Sequence, residues 1–265
     1  MQRLRVAEHG PALVRAVVAR NERVAARVCV LDLRLEEDVP APSAGQFFLV
    51  DCGGGREHLL RRPLSVMGYD PAPQPALIFL VEVVGWGTRR LCAMQPGEKV
   101  GLLGPLGRGF GAPAGRFSLL IAGGMGIAPL LFLSHELKSR EQACDLIAGF
   151  RDSGQVFGGR QDIGSPNGVC TEDGSMGGRG KVCDGLAGRL SEFGYTSVFA
   201  CGPGGMLEET ARVCAAAGVP CQVSLDSRMA CGLGMCRGCV KQGAGGANLC
   251  VCKDGPVFDS TQVFD

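Results

Sequence analysis

Three cysteines, Cys231, Cys236 and Cys239, stand in the run CGLGMCRGCV with four and then two residues between them. Thiolates spaced C-x4-C-x2-C, with a more distant fourth cysteine, are the ligand pattern of a plant-type [2Fe–2S] cluster. Gly232, Gly234 and Gly238 let a short loop wrap such a cluster and turn backbone N–H groups toward its sulfurs, which helps set its reduction potential. Two other readings stand beside it. Zinc sites favour separated C-x2-C pairs, to which Cys231 is surplus, and reduced cysteines need hold no metal. Cys250 and Cys252, in LCVCKDGPVFD, both lie within chain reach as a fourth ligand. In an extended segment they face the same side, because side chains alternate with period two.

Glycine-rich turns carry the next chemistry. In AGGMGIAPL, Gly123, Gly124 and Gly126 sit between a buried apolar run and a helical one, where a helix N-terminus receives phosphate. Pro129 stands where a third glycine of G-x-G-x-x-G would be, so the motif by itself also fits an ordinary strand-to-helix turn. FACGPGGML repeats the arrangement with Cys201, Gly202 and Pro203. Two such loops at the carboxyl edge of one sheet make a ligand crevice. In LLRRPLSV, Arg62 suits a diphosphate and Ser65 a polar ring edge, against the bland reading of surface charges on a strand. In VEVVGWGTRRL, the hydroxyl and N–H of Thr88 suit a phosphate oxygen, and Trp86 is either packing or a stacking surface.

The elements that must position these residues follow from periodicity. Runs near residues 12–20, 25–33, 45–52, 63–67, 76–84 and 98–104 are apolar or β-branched and broken by Gly, Pro and Asp, as in a small antiparallel barrel. FSLLIAG (117–123), DLIAGF (145–150), SVFACG (197–202) and VPCQVSL (219–225) read as buried strands, with helices over 127–140 and 206–218. Strands alternating with helices predict a doubly wound parallel sheet. Residues 154–168 read as a loop. The expected units are 1–112, 113–225 and 226–265, the last too poor in apolar residues for a core of its own, so that something other than hydrophobic burial must fold it.

Composition excludes other classes. The net charge is +1, with no basic run dense enough for nucleic acid. No apolar run approaches the ~20 residues of a membrane span, and none follows the basic residues of MQRLRVAEHG as in a secretory signal. The fourteen cysteines in so long a chain are therefore expected to be mostly reduced, in the cytoplasm. Cys29, Cys144, Cys214 and Cys221 read as small buried hydrophobes. His9, His58 and His135 lie apart from any obvious partner, so no base for substrate chemistry is visible.

Laid end to end, the RRPLS, GT (87–88), LGPLG, GGMGIAPL, DGSMGGRGKV, FACGP and MACGLGMCRGCV…CKDGPVF motifs cover nearly the whole chain. It resembles the ferredoxin–NADP reductase superfamily and, within it, the electron-transfer subunits of NAD-linked dihydroorotate dehydrogenase. The resemblance implies an antiparallel FAD-binding barrel, a parallel NAD-binding sheet and a small C-terminal [2Fe–2S] domain. It assigns Arg62, Pro63, Leu64 and Ser65 to the flavin motif, Leu80, Val81 and Glu82 to the strand alongside, and Gly87 and Thr88 to a flavin phosphate. Gly123, Gly124, Gly126, Cys201, Gly202 and Pro203 fall at the nicotinamide site, and Cys252, which opens CKDGPVF, is the fourth cluster ligand with Cys250 a bystander. The implied partner is an FMN-containing catalytic subunit oxidising dihydroorotate, two of each chain forming a heterotetramer. NADH is the expected nicotinamide, although Arg151 and Arg160 could hold a 2′-phosphate. Leu64 departs from the aromatic that many members carry, and residues 154–168 are short where relatives often have a helix. Subunits serving a hydrogenase, a glutamate synthase or a transhydrogenase share this plan and differ in partner; an interaction module without turnover would lack the flavin.

Overall fold

The computed structural model describes residues 10–55, 58–156 and 168–265. The chain begins with strands β1 (Ala12–Ala25), β2 (Val28–Leu35), β3 (Phe47–Val50), β4 (Arg62–Asp70) and β5 (Ala76–Glu82). Helix α1 (Trp86–Ala93) and strand β6 (Lys99–Leu106) follow. The six strands close a barrel in the order β1-β2-β5-β4-β3-β6, every pair antiparallel. Closure leaves no open edge. Period-two alternation drives it: Val14, Ala16 and Val18 of β1 are buried while Leu13 and Arg15 face out, as a one-sided strand requires.

Helix α1 lies within a stretch read only as a motif. It packs over β1, β2 and β5 and brings Cys92 to Cys29, with which it forms a disulfide whose Cα atoms are 5.9 Å apart. Cys29 is therefore not a free buried thiol. Cys214 and Cys221 are free and buried, and Cys144 is free and half-buried.

Beyond the barrel come β7 (Phe117–Gly123), α2 (Ile127–Ser139), β8 (Ala143–Phe150), β9 (Gly168–Thr171) and β10 (Gly178–Arg179). Then follow α3 (Leu186–Phe193), β11 (Ser197–Cys201), α4 (Gly204–Ala217) and β12 (Cys221–Ser224). The expected doubly wound sheet is present. Its order is β10-β9-β8-β7-β11-β12 with a last strand from the C-terminal segment, and β7 to β12 pair in parallel. The interior strands are continuous buried runs, Ser118 to Ala122 and Ser197 to Ala200, because helices cover both faces. Pro129 falls in the first turn of α2, where its missing N–H has no intrahelical acceptor to lose. Most of the stretch read as a loop, 157–167, and with it Arg160, lies outside the described residues, as does His9; residues Ser153–Gln155 form a 3-10 turn and Gly168 already begins β9.

The C-terminal segment holds β13 (Val240–Gln242), β14 (Asn248–Cys250), α5 (Val251–Asp254), β15 (Val257–Asp259) and α6 (Ser260–Val263). It does bury apolar surface. β15 adds antiparallel to the sheet, Val223 opposite Phe258, and Val251 and Phe258 share a core with Phe47, Leu49 and Leu106 of the barrel and Val223 of the sheet. Composition hid this because the partners of these few apolar residues belong to other elements.

Candidate functional site

The flavin motif occupies the start of β4, where Arg62, Pro63, Leu64 and Ser65 are all half-buried. Leu64 stands opposite Phe48 and packs partly on the barrel core, so an aliphatic surface replaces the aromatic expected there. In β5, Val81 alternates with Leu77 and Phe79, all fully buried. Its side chain thus belongs to the barrel interior and only its backbone is open to a ligand. Leu80 and Glu82 share the opposite face.

Arg62 reaches α1. An ideal Cβ on Gly87 would come within 2.6 Å of the Arg62 Nε, so the guanidinium rests where any other side chain would stand. Thr88 is buried and its hydroxyl is already spent: it accepts from the N–H of Val84 and Gly85 at 3.0 and 3.2 Å and donates to the Gly85 carbonyl. What remains for an anion is the first-turn N–H groups of α1, which have no intrahelical acceptor, beside the Arg62 charge. Arg61 Nε, buried, finds no acceptor among the described residues. Burial pushes the neighbouring Cys52 thiol up to about 11, with Arg62 pulling against it. Converging donors and cations of this kind fit the diphosphate of FAD.

The crevice expected to take the nicotinamide lies at the carboxyl edge of the sheet, between β7 and β11, where the chain winds off in opposite directions. Its two glycine loops touch. A Cβ on Gly126 would lie 2.1 Å from the Cys201 carbonyl oxygen, and one on Gly202 would lie 2.9 Å from the Gly123 Cα. Gly124, at φ +51°, has nothing within 4 Å of its Cβ direction and borders a cavity of about 320 Å³ lined by Arg27, Glu82, Met125, Phe150, Arg151 and Asp152. Barrel and sheet thus share one cleft. Cys201 ends β11 and is half-buried, and desolvation pushes the thiol up to about 12 while the Ser224 hydroxyl pulls it down. Pro203 caps α4. Asp152, just past β8, was not among the residues singled out from sequence; its carboxylate accepts from the Gly154 N–H at 2.9 Å. The usable signal was an acidic residue closing the second strand of the unit, the position that reads a ribose diol.

The thiolate loop gathers its sulfurs in two groups. The N–H groups of Leu233 and Cys236 both point to Cys231 Sγ at 3.4 Å; these amides, Cys236 foremost, draw that thiol down to about 6. Gly238 N–H points to Cys236 Sγ at 3.5 Å. The second group is buried: Cys239, Cys250 and Cys252 hold their sulfurs within 4.8 Å of one another. Cys252 Sγ accepts from Gly234 N–H at 3.1 Å, and its own N–H points to Cys239 Sγ at 3.4 Å. Cys250 is no remote bystander, its sulfur lying 3.7 Å from that of Cys239 and 4.0 Å from that of Cys252, though among the described residues no backbone N–H points to it. It converges by the turn from β14 into α5, not by extension. Soft thiolates with N–H donors aimed at four of them suit an iron–sulfur cluster. The loop also rests on the barrel: a Cβ on Gly232, at φ +69°, would meet Leu49 at 2.8 Å and Leu106 at 2.9 Å, and Leu49 is paired with Pro63 of the flavin motif.

A barrel with a diphosphate cradle, a switch-point crevice and a thiolate loop one strand away define a flavin- and nicotinamide-linked oxidoreductase with an iron–sulfur domain. A chain of the NADH-dependent reduced ferredoxin–NADP oxidoreductase superposes with a TM-score of 0.82 at 26% identity, over 94% of this chain and 89% of that one. A ferredoxin NADP+ reductase from Neisseria gonorrhoeae shares the fold, with a TM-score of 0.62 over 80% of this chain and 93% of that one at 19% identity. Residues 226–264 match the iron–sulfur cluster binding domain of dihydroorotate dehydrogenase B. The dihydroorotate dehydrogenase B (NAD(+)) electron transfer subunit of Caldanaerobacter subterraneus is 34% identical over 95% of this chain and 98% of its own length, and that of Desulforamulus reducens 41% identical over 83% and 86%. The chain belongs to this family of electron transfer subunits. Among the described residues no helix is long and apolar enough to cross a membrane.

Proposed function

We propose that this chain carries electrons from a catalytic partner subunit, which oxidises dihydroorotate to orotate on FMN, to NAD+ for pyrimidine synthesis in the cytoplasm, two copies of each subunit forming a heterotetramer. Its own units, 1–112, 113–225 and 226–265, hold FAD, NAD and a [2Fe–2S] cluster. A flavin supplies the needed conversion, since it exchanges electrons singly with iron–sulfur and in pairs with nicotinamide. The observation that carries this reading is contiguity: Gly232 of the thiolate loop packs on Leu49, one strand from Pro63, and Glu82 of the flavin strand shares a cavity with Gly124.

Each residue then has a role. Arg62 and the first turn of α1 hold the FAD diphosphate, Ser65 and the backbone of Leu80 to Glu82 orient the ring edge, and Leu64 covers its face. Gly123, Gly124, Gly126, Gly202 and Pro203 admit the nicotinamide dinucleotide close to backbone, with Cys201 beneath it and Asp152 on the adenosine ribose, which favours NADH. Cys231, Cys236, Cys239 and Cys252 would hold the cluster; the Gly234 N–H aimed at Cys252 distinguishes it from Cys250. The two described histidines are placed apart from one another: His135 is exposed on α2, and His58 is stacked on Trp86.

The test is reconstitution. NAD+-linked oxidation of dihydroorotate is expected only when the purified chain is combined with an FMN-containing partner, while the chain alone reduces artificial acceptors with NADH. Dihydroorotate oxidation by the chain alone would refute the division of labour.

A further inference from the structure

Trp86 is the single tryptophan of the chain and opens α1. It is 41% exposed, and His58, from the loop joining β3 to β4, stacks on one face of the indole with ring centroids 3.7 Å and planes 18° apart. This contact gives a partner to a histidine that looked isolated in the sequence. The pair is held from two sides. Gly54, at φ +100°, brings loop backbone so near that a Cβ there would meet the indole at 2.5 Å and His58 at 3.0 Å. Arg62 ties the two elements together, its Nη1 donating to the Leu60 carbonyl of the loop while its guanidinium lies on Gly87 of α1.

We propose that the adenine of FAD lies on the open face of the Trp86 indole, with His58 backing the other face. This rests on the reading that places the FAD diphosphate between Arg62 and the first turn of α1. The isoalloxazine end then runs along β4, and the adenosine end leaves the diphosphate on the other side, over the helix residue that precedes Gly87. That residue is Trp86. The other exposed large aromatic among the described residues, Phe193, closes α3 on the sheet. An adenine ring finds its best contact on a large π-face, and a plate fixed by a second ring and a tight loop loses little freedom when the base arrives. The same diphosphate clamp that binds the ligand also holds loop and helix at the separation the stack needs.

Because Trp86 is alone, its emission reports this site directly. ADP carries the adenine and diphosphate but absorbs nothing where tryptophan emits, so quenching by ADP requires contact and not energy transfer to a flavin. With the full-length chain freed of flavin, saturable quenching is expected with ADP and none with inorganic pyrophosphate. Trp86→Ala should weaken FAD binding, followed by flavin absorbance, about 5- to 150-fold, the span of a base–aromatic stack. FMN binding should be unchanged, so that the preference for FAD over FMN falls by the same factor. Trp86→Phe should recover most of the affinity, and His58→Ala should cost less than Trp86→Ala. FAD bound equally well by a folded Trp86→Ala chain, or FAD binding with a tryptophan silent to ADP, would overturn the stack alone. A wild-type chain that binds no FAD would overturn the flavin reading together with it.

Discussion

The thiolate loop and the crevice proposed for nicotinamide bring backbone close together in opposite ways. In the loop, ligands and glycines lie within about two dozen residues of one another, and the polypeptide needs only local turns at Gly232 and Gly234, both at positive φ. In the crevice, Gly126 lies in the turn that follows β7 and Cys201 ends β11, and the two meet because those strands pair in parallel. The first is a ligand set that the metal itself can draw together. The second exists only once a buried sheet has formed, and its tolerance is that of close-packed backbone.

The largest effects should come from breaking the first region. Cys252→Ser is expected to lose most bound iron and the electron paramagnetic resonance signal of the reduced cluster, whereas Cys250→Ser keeps both; a normal cluster in the former and a lost one in the latter would reverse the assignment. Residual iron in Cys252→Ser that disappears in the double Cys250→Ser variant would show the buried third sulfur standing in.

The second region should break without touching the first. Gly126→Ala places a methyl group against the Cys201 carbonyl, so the loops must part. NADH oxidation with an artificial acceptor is expected to fall about 10²-fold, the scale of an ångström-sized misplacement, with iron and FAD content unchanged. Loss of iron in this variant would mean that crevice and thiolate loop are coupled.

A finer change within the crevice is Asp152→Ser, which removes a carboxylate suited to a ribose diol and hostile to a 2′-phosphate. The ratio of kcat/KM for NADH over NADPH should drop by about tenfold, one hydrogen bond to a charged group. An unchanged ratio would move the discrimination to Arg151 or to residues beyond β8.

The smallest effect concerns the joint between barrel and sheet. Glu136 of α2 accepts from the Ala44 N–H at 3.0 Å, and burial raises its carboxyl above the ordinary value, the Ala44 bond and Arg140 opposing. With the folded pKa above the unfolded one, the folded state holds the proton more tightly. The stabilisation is therefore complete below the unfolded pKa and is lost as pH rises through the folded one. Glu136→Gln keeps an acceptor for Ala44 without that loss, so its melting temperature relative to wild type should rise as pH goes from acid to neutral. A constant difference would argue against the linkage.

What could be read from the sequence alone was whatever has short range or a strict period. The six barrel strands, the buried runs of β7, β8, β11 and β12, helices α2 and α4 and the C-x4-C-x2-C loop all announce themselves within a dozen residues, because alternation, helical length and ligand spacing are local. Tertiary structure alone decided the rest. It paired Cys29 with Cys92 across 63 residues, turned Val81 into the barrel, and laid the C-terminal β15 on the sheet although its segment looks too polar to have a core. It spent the Thr88 hydroxyl on its own helix cap, brought Cys250 beside Cys239 and Cys252, and stacked His58 on Trp86. Each depends on which surfaces meet when separate elements close on one another, and that is set by burial across the whole chain, not by any residue's neighbours in sequence.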